Sequence, residues 1–165
     1  MSQGVVSMPS LPPRPLVLLV EDSEDDAFFF RWTIEKCGVH CEIVHAPDGA
    51  AAIEHLTAAT PGGGGRPFDL VFLDLKLPTL TGFEVLTWIR EHHFVPPLDV
   101  AVLSGSEHAS DIQRAHMLGA TAYYVKPLSI EQLRTRFDNW LARQAKNSNG
   151  AAVESTALAT PNGTA

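Results

Sequence analysis

The sequence predicts an α/β protein built on a five-stranded parallel sheet. Short runs rich in apolar and β-branched residues recur at Leu16–Val20, Cys41–His45, Leu70–Leu73, Val100–Leu103 and Ala122–Val125. Runs of this kind read as strands buried on both faces. A stretch with helical spacing follows each run, which implies repeated β-α units and a sheet covered on both faces. Reactive groups stand at the ends of four runs: Glu21 with Asp22, Asp74, Ser104, and Lys126 with Pro127 behind it. In an open parallel sheet, ligands bind in the crevice beyond the carboxyl ends of the strands. These groups can therefore converge on one point.

Taken in order, Asp22 or Ser23 caps a first helix through about Lys36, which stops at Gly38. Ala27, Phe30, Ile34 and Cys37 can face the core in that helix. Phe28 and Trp32 are four apart and lie on the opposite face. Two exposed large aromatics suggest docking of a partner. Asp48 and Gly49 open a short helix, Ala50–Leu56, which leads into the loop TAATPGGGGRP. Its glycines and prolines predict mobility and no chemistry. After the third run, a loop with Pro78 leads to a helix from Gly82 to about His92. Pro96 and Pro97 break the chain before the fourth run. A helix from about Glu107 to Leu118 stops at Gly119. Ser129 and Gln132 form a capping box for the last helix. Ile130, Leu133, Phe137, Trp140 and Leu141 repeat there at helical spacing, as core residues do.

Beyond Arg143 the composition collapses to small and polar residues (KNSNGAAVESTALATPNGTA). Such a segment buries too little surface to fold alone. The predicted organisation is a disordered lead over residues 1–14, one folded domain over 15–143, and a disordered tail over 144–165. The chain has 165 residues and 45% hydrophobic content, enough for one sizeable core. Twelve basic residues against 19 acidic ones give a formal charge of −7. Nucleic acid is thereby excluded as the main partner, because phosphate backbones call for a basic footprint. No apolar stretch approaches the roughly 18 residues that span a membrane. The N-terminus has neither the basic nor the apolar region of a secretory signal. Cys37 and Cys41 (CGVHC) are too few and too closely spaced for a zinc site. They read as reduced thiols at element boundaries, and the expected location is the cytoplasm.

The grouped side chains suit a divalent metal and a phosphoryl group. Glu21, Asp22 and Asp74 repel one another at close range until a cation arrives. Mg²⁺ is the natural cation, since it takes oxygen ligands and keeps several waters. Asp22 and Asp74 can bind it directly and the longer Glu21 through water. A carboxylate such as Asp74 can attack phosphorus to give an aspartyl phosphate. The Lys126 ammonium can pair with Asp74 at rest and with a phosphate oxygen afterwards. Ser104 offers a hydroxyl to another oxygen, and Gly105 leaves room for the donor. Lys76 and Ser106 flank the route to Asp74.

The stretches LVLLVEDSEDD, DLVFLDLKLPTLTGFEVL, VAVLSGS and AYYVKPLS resemble the receiver domain of two-component response regulators over about residues 15–143. The resemblance implies a flavodoxin-like doubly wound sheet with strand order 2-1-3-4-5. It implies that Asp74 is the phosphoacceptor, that Glu21 and Asp22 are the metal-binding pair, and that Lys76 gives its backbone carbonyl to the metal. It further implies that Ser104 is the switch hydroxyl, that Tyr123 is the rotating aromatic, and that the Lys126–Pro127 bond is cis. The phosphoryl donor would be a sensor histidine kinase or a histidine phosphotransfer protein, docking on the first helix at Phe28 and Trp32. Output would come from an unknown downstream protein, or from a homodimer through the face of the fourth helix, fifth strand and fifth helix. Single-domain receivers of phytochrome-type kinases look similar at the acidic start. Such a protein is no enzyme beyond its own phosphorylation and dephosphorylation. Two alternatives remain: a receiver-like scaffold that takes no phosphate, and a haloacid-dehalogenase-type phosphatase. The second lacks its general acid, because Lys76 stands where that acid belongs.

Overall fold

The computed structural model describes residues 14–94 and 96–154, with side chains as far as residue 147. Residues 1–13 of the predicted lead and 155–165 of the predicted tail lie outside the described residues. The elements are β1 (Leu16–Val20), α1 (Glu24–Cys37), β2 (Glu42–Ala46), α2 (Gly49–Ala58), β3 (Leu70–Asp74), α3 (Gly82–Glu91), β4 (Val100–Ser104), α4 (Ala109–Met117), β5 (Ala122–Val125) and α5 (Ile130–Glu154). All five strands pair in parallel, in the order β2-β1-β3-β4-β5. This is the α/β class that the sequence predicts and the flavodoxin-like order that the resemblance implies.

The chain divides into two compact units. The first runs to Phe29 and then from His40 to Pro127, and holds the whole sheet with α2, α3 and α4. β1, β3 and β4 are buried along their full length. Leu18, Val20, Val71, Leu73 and Val102 pack into one core with Leu56 of α2, Val85, Leu86 and Ile89 of α3, and Ala115 of α4. Each buried Val or Leu side chain contributes about 1.5 to 3 kcal/mol. The groups at the ends of these strands therefore sit on rigid supports.

Two local devices fix the loops around the strand ends. Asp48 caps α2 by accepting the Ala51 N–H at 2.8 Å. Thr81 and Glu84 form a capping box on α3: the Thr81 hydroxyl oxygen accepts the Glu84 N–H at 3.3 Å, and the Glu84 carboxylate accepts the Thr81 N–H at 2.8 Å. The Thr81 N–H and the Thr81 hydroxyl, which also donates to that carboxylate at 2.8 Å, hold the Glu84 carboxyl below its usual range. α2 runs past the predicted Leu56 to Ala58, and the glycine-rich loop turns back on it through a Gly65 N–H to Ala58 carbonyl bond of 2.9 Å.

The second unit holds Phe30–Val39 and the chain from Leu128 onward. The capping box predicted for α5 is present, with Ser129 N–H on Gln132 Oε1 at 3.0 Å and Gln132 N–H on Ser129 Oγ at 3.1 Å. Leu133, Phe137 and Trp140 are buried, but Leu141 is exposed. Leu141 follows Trp140 directly, and one residue turns a helix by about 100° away from the buried stripe. α5 also continues through residues 144–154, where the sequence predicts the tail. Gln144, Ala145 and Lys146 are good helix formers and carry the helix beyond Trp140. Cys37 ends α1 with its thiol on the Ile130 carbonyl at 3.4 Å, and Cys41 precedes β2; both are free. Burial raises both thiol pKa values, that of Cys41 to about 11, which makes them poor nucleophiles. Among the described residues no helix is long and apolar enough to cross a membrane.

Candidate functional site

Each central strand delivers one reactive group to the same end of the sheet. Past β1, the Glu21 N–H bonds the Ala46 carbonyl at 3.0 Å, which keeps the chain in line beyond the strand. The Ser23 N–H then donates to Glu21 Oε1 at 3.1 Å, and Ser23 Oγ accepts the Asp26 N–H at 3.3 Å to cap α1. β3 ends on Asp74, in register with Leu103 of β4. β4 ends on Ser104, opposite Val125 of β5. The Lys126 N–H bonds the Ser104 carbonyl at 2.9 Å, and the Lys126–Pro127 bond is cis.

The Lys126 ammonium is the centre of the site. Its Nζ lies 2.5 Å from Glu21 Oε2, 2.8 Å from Asp26 Oδ2 and 2.9 Å from Asp74 Oδ2. The other Asp74 oxygen accepts the Lys76 N–H at 3.0 Å. Glu21 and Asp74 are 2% and 6% exposed, whereas Asp22 faces solvent. Carboxylate oxygens of Glu21, Asp22 and Asp74 lie within 4.8 Å of one another.

The electrostatics follow from that packing. Burial pushes the Glu21 carboxyl above its usual range, and the bonds from Lys126 and the Ser23 N–H offset only part of the rise. Burial also opposes the charge on Lys126. Its bonds to Asp26, Glu21 and Asp74 outweigh that and raise its pKa, so the ammonium stays protonated. One ammonium thus faces several carboxylates, an excess of negative charge that a small hard cation relieves. The donors of the Glu21, Asp22 and Asp74 cluster are all oxygen, which fits a divalent metal of the Mg²⁺, Mn²⁺ or Ca²⁺ kind.

Ser104 is fully buried at the edge of this cluster, and its Oγ accepts the Ser106 N–H at 3.1 Å. Ser106 ties the surrounding loop together. Its hydroxyl donates to Asp111 in the first turn of α4 at 2.6 Å, and its carbonyl accepts the Tyr123 hydroxyl at 2.9 Å. The sequence places Ser106 beside the route to Asp74, yet its side chain is buried and turned to Asp111. The Lys76 side chain is exposed, and a Cβ on Gly105 would meet nothing within 4 Å.

The structure therefore brings together Glu21, Asp22, Asp74 and Lys126, and links Ser104 to Tyr123 through Ser106. Phe28 and Trp32 are exposed on α1, as is Phe29, which the sequence reading does not single out. Asp26 is the site residue that the sequence reading misses. It lies in the run Glu24-Asp25-Asp26, where acids are expected simply because a helix N-terminus favours them. Its spacing carries no signal, since Asp22 precedes α1, and only the reach of Lys126 to the helix start singles it out.

The sequence profile of the response regulator receiver domain matches residues 17–138. A probable methanogenesis regulatory protein, FilR2 of Methanothrix harundinacea, is 35% identical over 119 residues, which cover 72% of this chain and 76% of that protein. The solved bacteriophytochrome response regulator AtBRR shares 31% identity at a TM-score of 0.67, over 78% of this chain and 94% of its own. The Mn²⁺-bound form of response regulator Rcp1 shares 25% identity at a TM-score of 0.64, over 77% of this chain and 94% of its own. Other curated relatives are far longer, and the chain spans 25% and 22% of two of them. With its sheet order, its clustered acids and its lysine beside Asp74, the chain belongs to the response regulator receiver domain family.

Proposed function

We propose that this chain is a phosphoryl-accepting signalling module, with Asp74 as the acceptor and a sensor histidine kinase or histidine phosphotransfer protein as the donor. The observation that carries this reading is the state of the Asp74 carboxylate: buried, with Lys126 on one oxygen and the Lys76 N–H on the other. A carboxylate so held is aimed, and the positive group beside it can follow the charge of an incoming phosphoryl. In the transfer an Asp74 oxygen bonds phosphorus as the phosphorus–nitrogen bond of the donor breaks, leaving the electron pair on the imidazole. Glu21, Asp22 and Asp74, with the Lys76 backbone carbonyl, would hold Mg²⁺. That ion supplies charge that polarises the phosphoryl group and stabilises the transition state.

Ser104 keeps a hydroxyl proton for a phosphoryl oxygen, since its bond to Ser106 uses it as an acceptor. Drawing Ser104 toward Asp74 pulls on Ser106, and through it on Tyr123 and on Asp111 of α4. A charge event at Asp74 is thereby turned into changed contacts at α4 and β5, where a downstream protein would bind. A phosphatase would need an acid at position 76, and the exposed Lys76 cannot serve.

The test is intact-protein mass after incubation with acetyl phosphate and Mg²⁺. One added phosphoryl group, released by alkali and absent from Asp74→Asn, is the expected result. A group that persists in Asp74→Asn sinks the assignment.

Two further outcomes are expected. Mg²⁺ raises thermal stability by binding only the native state, by about 2.7 kcal/mol at a hundredfold excess over its Kd. Asp22→Asn removes most of that rise, and a full rise in the variant, read by thermal melts, would place the ion elsewhere. Exposed aromatics favour docking, so Phe28→Ala with Trp32→Ala slows transfer from the kinase without slowing loading from acetyl phosphate. Equal slowing by both donors would point to a damaged fold instead of a lost docking surface.

A further inference from the structure

We propose that Asp26 is a positioning residue that competes with the phosphoryl group for Lys126 and so sets how fast Asp74 is loaded. The inference rests on the phosphoacceptor reading above and deepens it. A lysine ammonium has three N–H donors and no acceptor. Here Glu21, Asp26 and Asp74 take them at 2.5, 2.8 and 2.9 Å, so the ammonium is fully committed. An arriving phosphoryl oxygen has to displace one of these partners.

Burial decides which partner yields. The side chains of Glu21 and Asp74 are 3% and 7% exposed, that of Asp26 48%. Glu21 is also pinned at its other oxygen by the Ser23 N–H at 3.1 Å, and Asp74 is the acceptor itself. A displaced Asp26 carboxylate is solvated at once, whereas a displaced Glu21 would be a buried charge that has lost the Lys126 ammonium and keeps only the Ser23 N–H. Asp26 can let go without unravelling α1, because the Ser23 hydroxyl still caps its backbone N–H. Once it has gone, Glu21 and Asp74 keep the ammonium in place with one donor free for phosphate. Until then the Asp26 carboxylate holds that donor and adds a negative charge beside an incoming anion.

The experiment measures the rate of phosphoryl loading from acetyl phosphate with Mg²⁺ in wild type, Asp26→Asn and Asp26→Glu. In this reaction an Asp74 oxygen bonds phosphorus while the phosphorus–oxygen bond to acetate breaks, and acetate keeps the electron pair. Asp26→Asn is expected to load about threefold to fivefold faster, the size that a half-exposed ion pair can carry. Asp26→Glu restores a carboxylate and is expected to return the rate close to wild type. A merely structural role would give the opposite sign, a lower melting temperature and slower loading in Asp26→Asn. If wild type loads and Asp26→Asn loads no faster, the competition is refuted while the phosphoacceptor reading stands. If wild type takes no phosphoryl group, the phosphoacceptor reading fails and this inference with it.

Discussion

Lys126→Met is expected to cost about 3 to 5 kcal/mol of stability at neutral pH without divalent cation, the usual penalty for removing one partner of a buried ion pair. The ammonium bonds the buried Glu21 and Asp74 carboxylates, and methionine fills its space without its charge. The loss should be conditional in a way that a packing defect is not. Burial already raises the Glu21 pKa above its ordinary 4.5, against the pull of Lys126. Removing Lys126 leaves only the Ser23 N–H to oppose the rise. A carboxyl whose folded pKa lies above its unfolded one binds its proton more tightly in the native state. Stability therefore rises as pH falls through the folded value, and the gain is complete below the unfolded value near 4.5. Lys126→Met should accordingly regain stability on mild acidification, more than wild type does. A divalent cation bound to the native state should rescue it as well. Denaturant midpoints at pH 7 and pH 5, with and without Mg²⁺, check both arms. A variant as stable as wild type at pH 7 without cation would mean that Glu21 and Asp74 have another counter-charge.

The strands were legible because parallel strands buried on both faces leave continuous apolar runs, and each reactive group sits within two residues of a run's end. Glu21, Asp74, Ser104 and Lys126 are placed by the backbone alone, so a strand boundary suffices to find them. Asp26 and the Ser106–Asp111 bond depend instead on helix phase and on the path of a loop, neither of which an apolar run records. Leu141 departs from its expected burial for a related reason: an apolar residue beside a buried stripe matches the helical pattern without lying on it. α5 runs on through residues 144–154, and its first added residues, Gln144, Ala145 and Lys146, favour a helix by local propensity without an apolar stripe to announce it. The Thr81–Glu84 box, which the sequence reading does not single out, fixes the start of α3 beside Gly82.

Gly82→Ala is expected to lower stability by about 1 to 3 kcal/mol, as overpacking does. The sign is informative, because alanine in place of glycine ordinarily stabilises a helix by up to about 1 kcal/mol. A Cβ on Gly82 would collide with the Asp74 carbonyl oxygen and stand 2.7 Å from Leu75 Cα and 3.0 Å from the Asp74 carbonyl carbon. All of these are main-chain atoms, so no side chain can swing aside. α3 cannot easily retreat, since Val85, Leu86 and Ile89 are buried and the Thr81–Glu84 box fixes its start. The strain falls on residues 74 and 75, where the Gly82 N–H also bonds the Leu75 carbonyl at 3.1 Å. Asp74 is then turned against its two partners, Lys126 and the Lys76 N–H. Misplacement of a reacting group by about 1 Å can cost on the order of a hundredfold in rate, so loading from acetyl phosphate should fall by tenfold or more. Gly105→Ala is the matched control for stability, because its Cβ would meet nothing within 4 Å. If Gly82→Ala melts with wild type and loads at its rate, α3 slides independently of β3, and the close approach at Gly82 does not position Asp74.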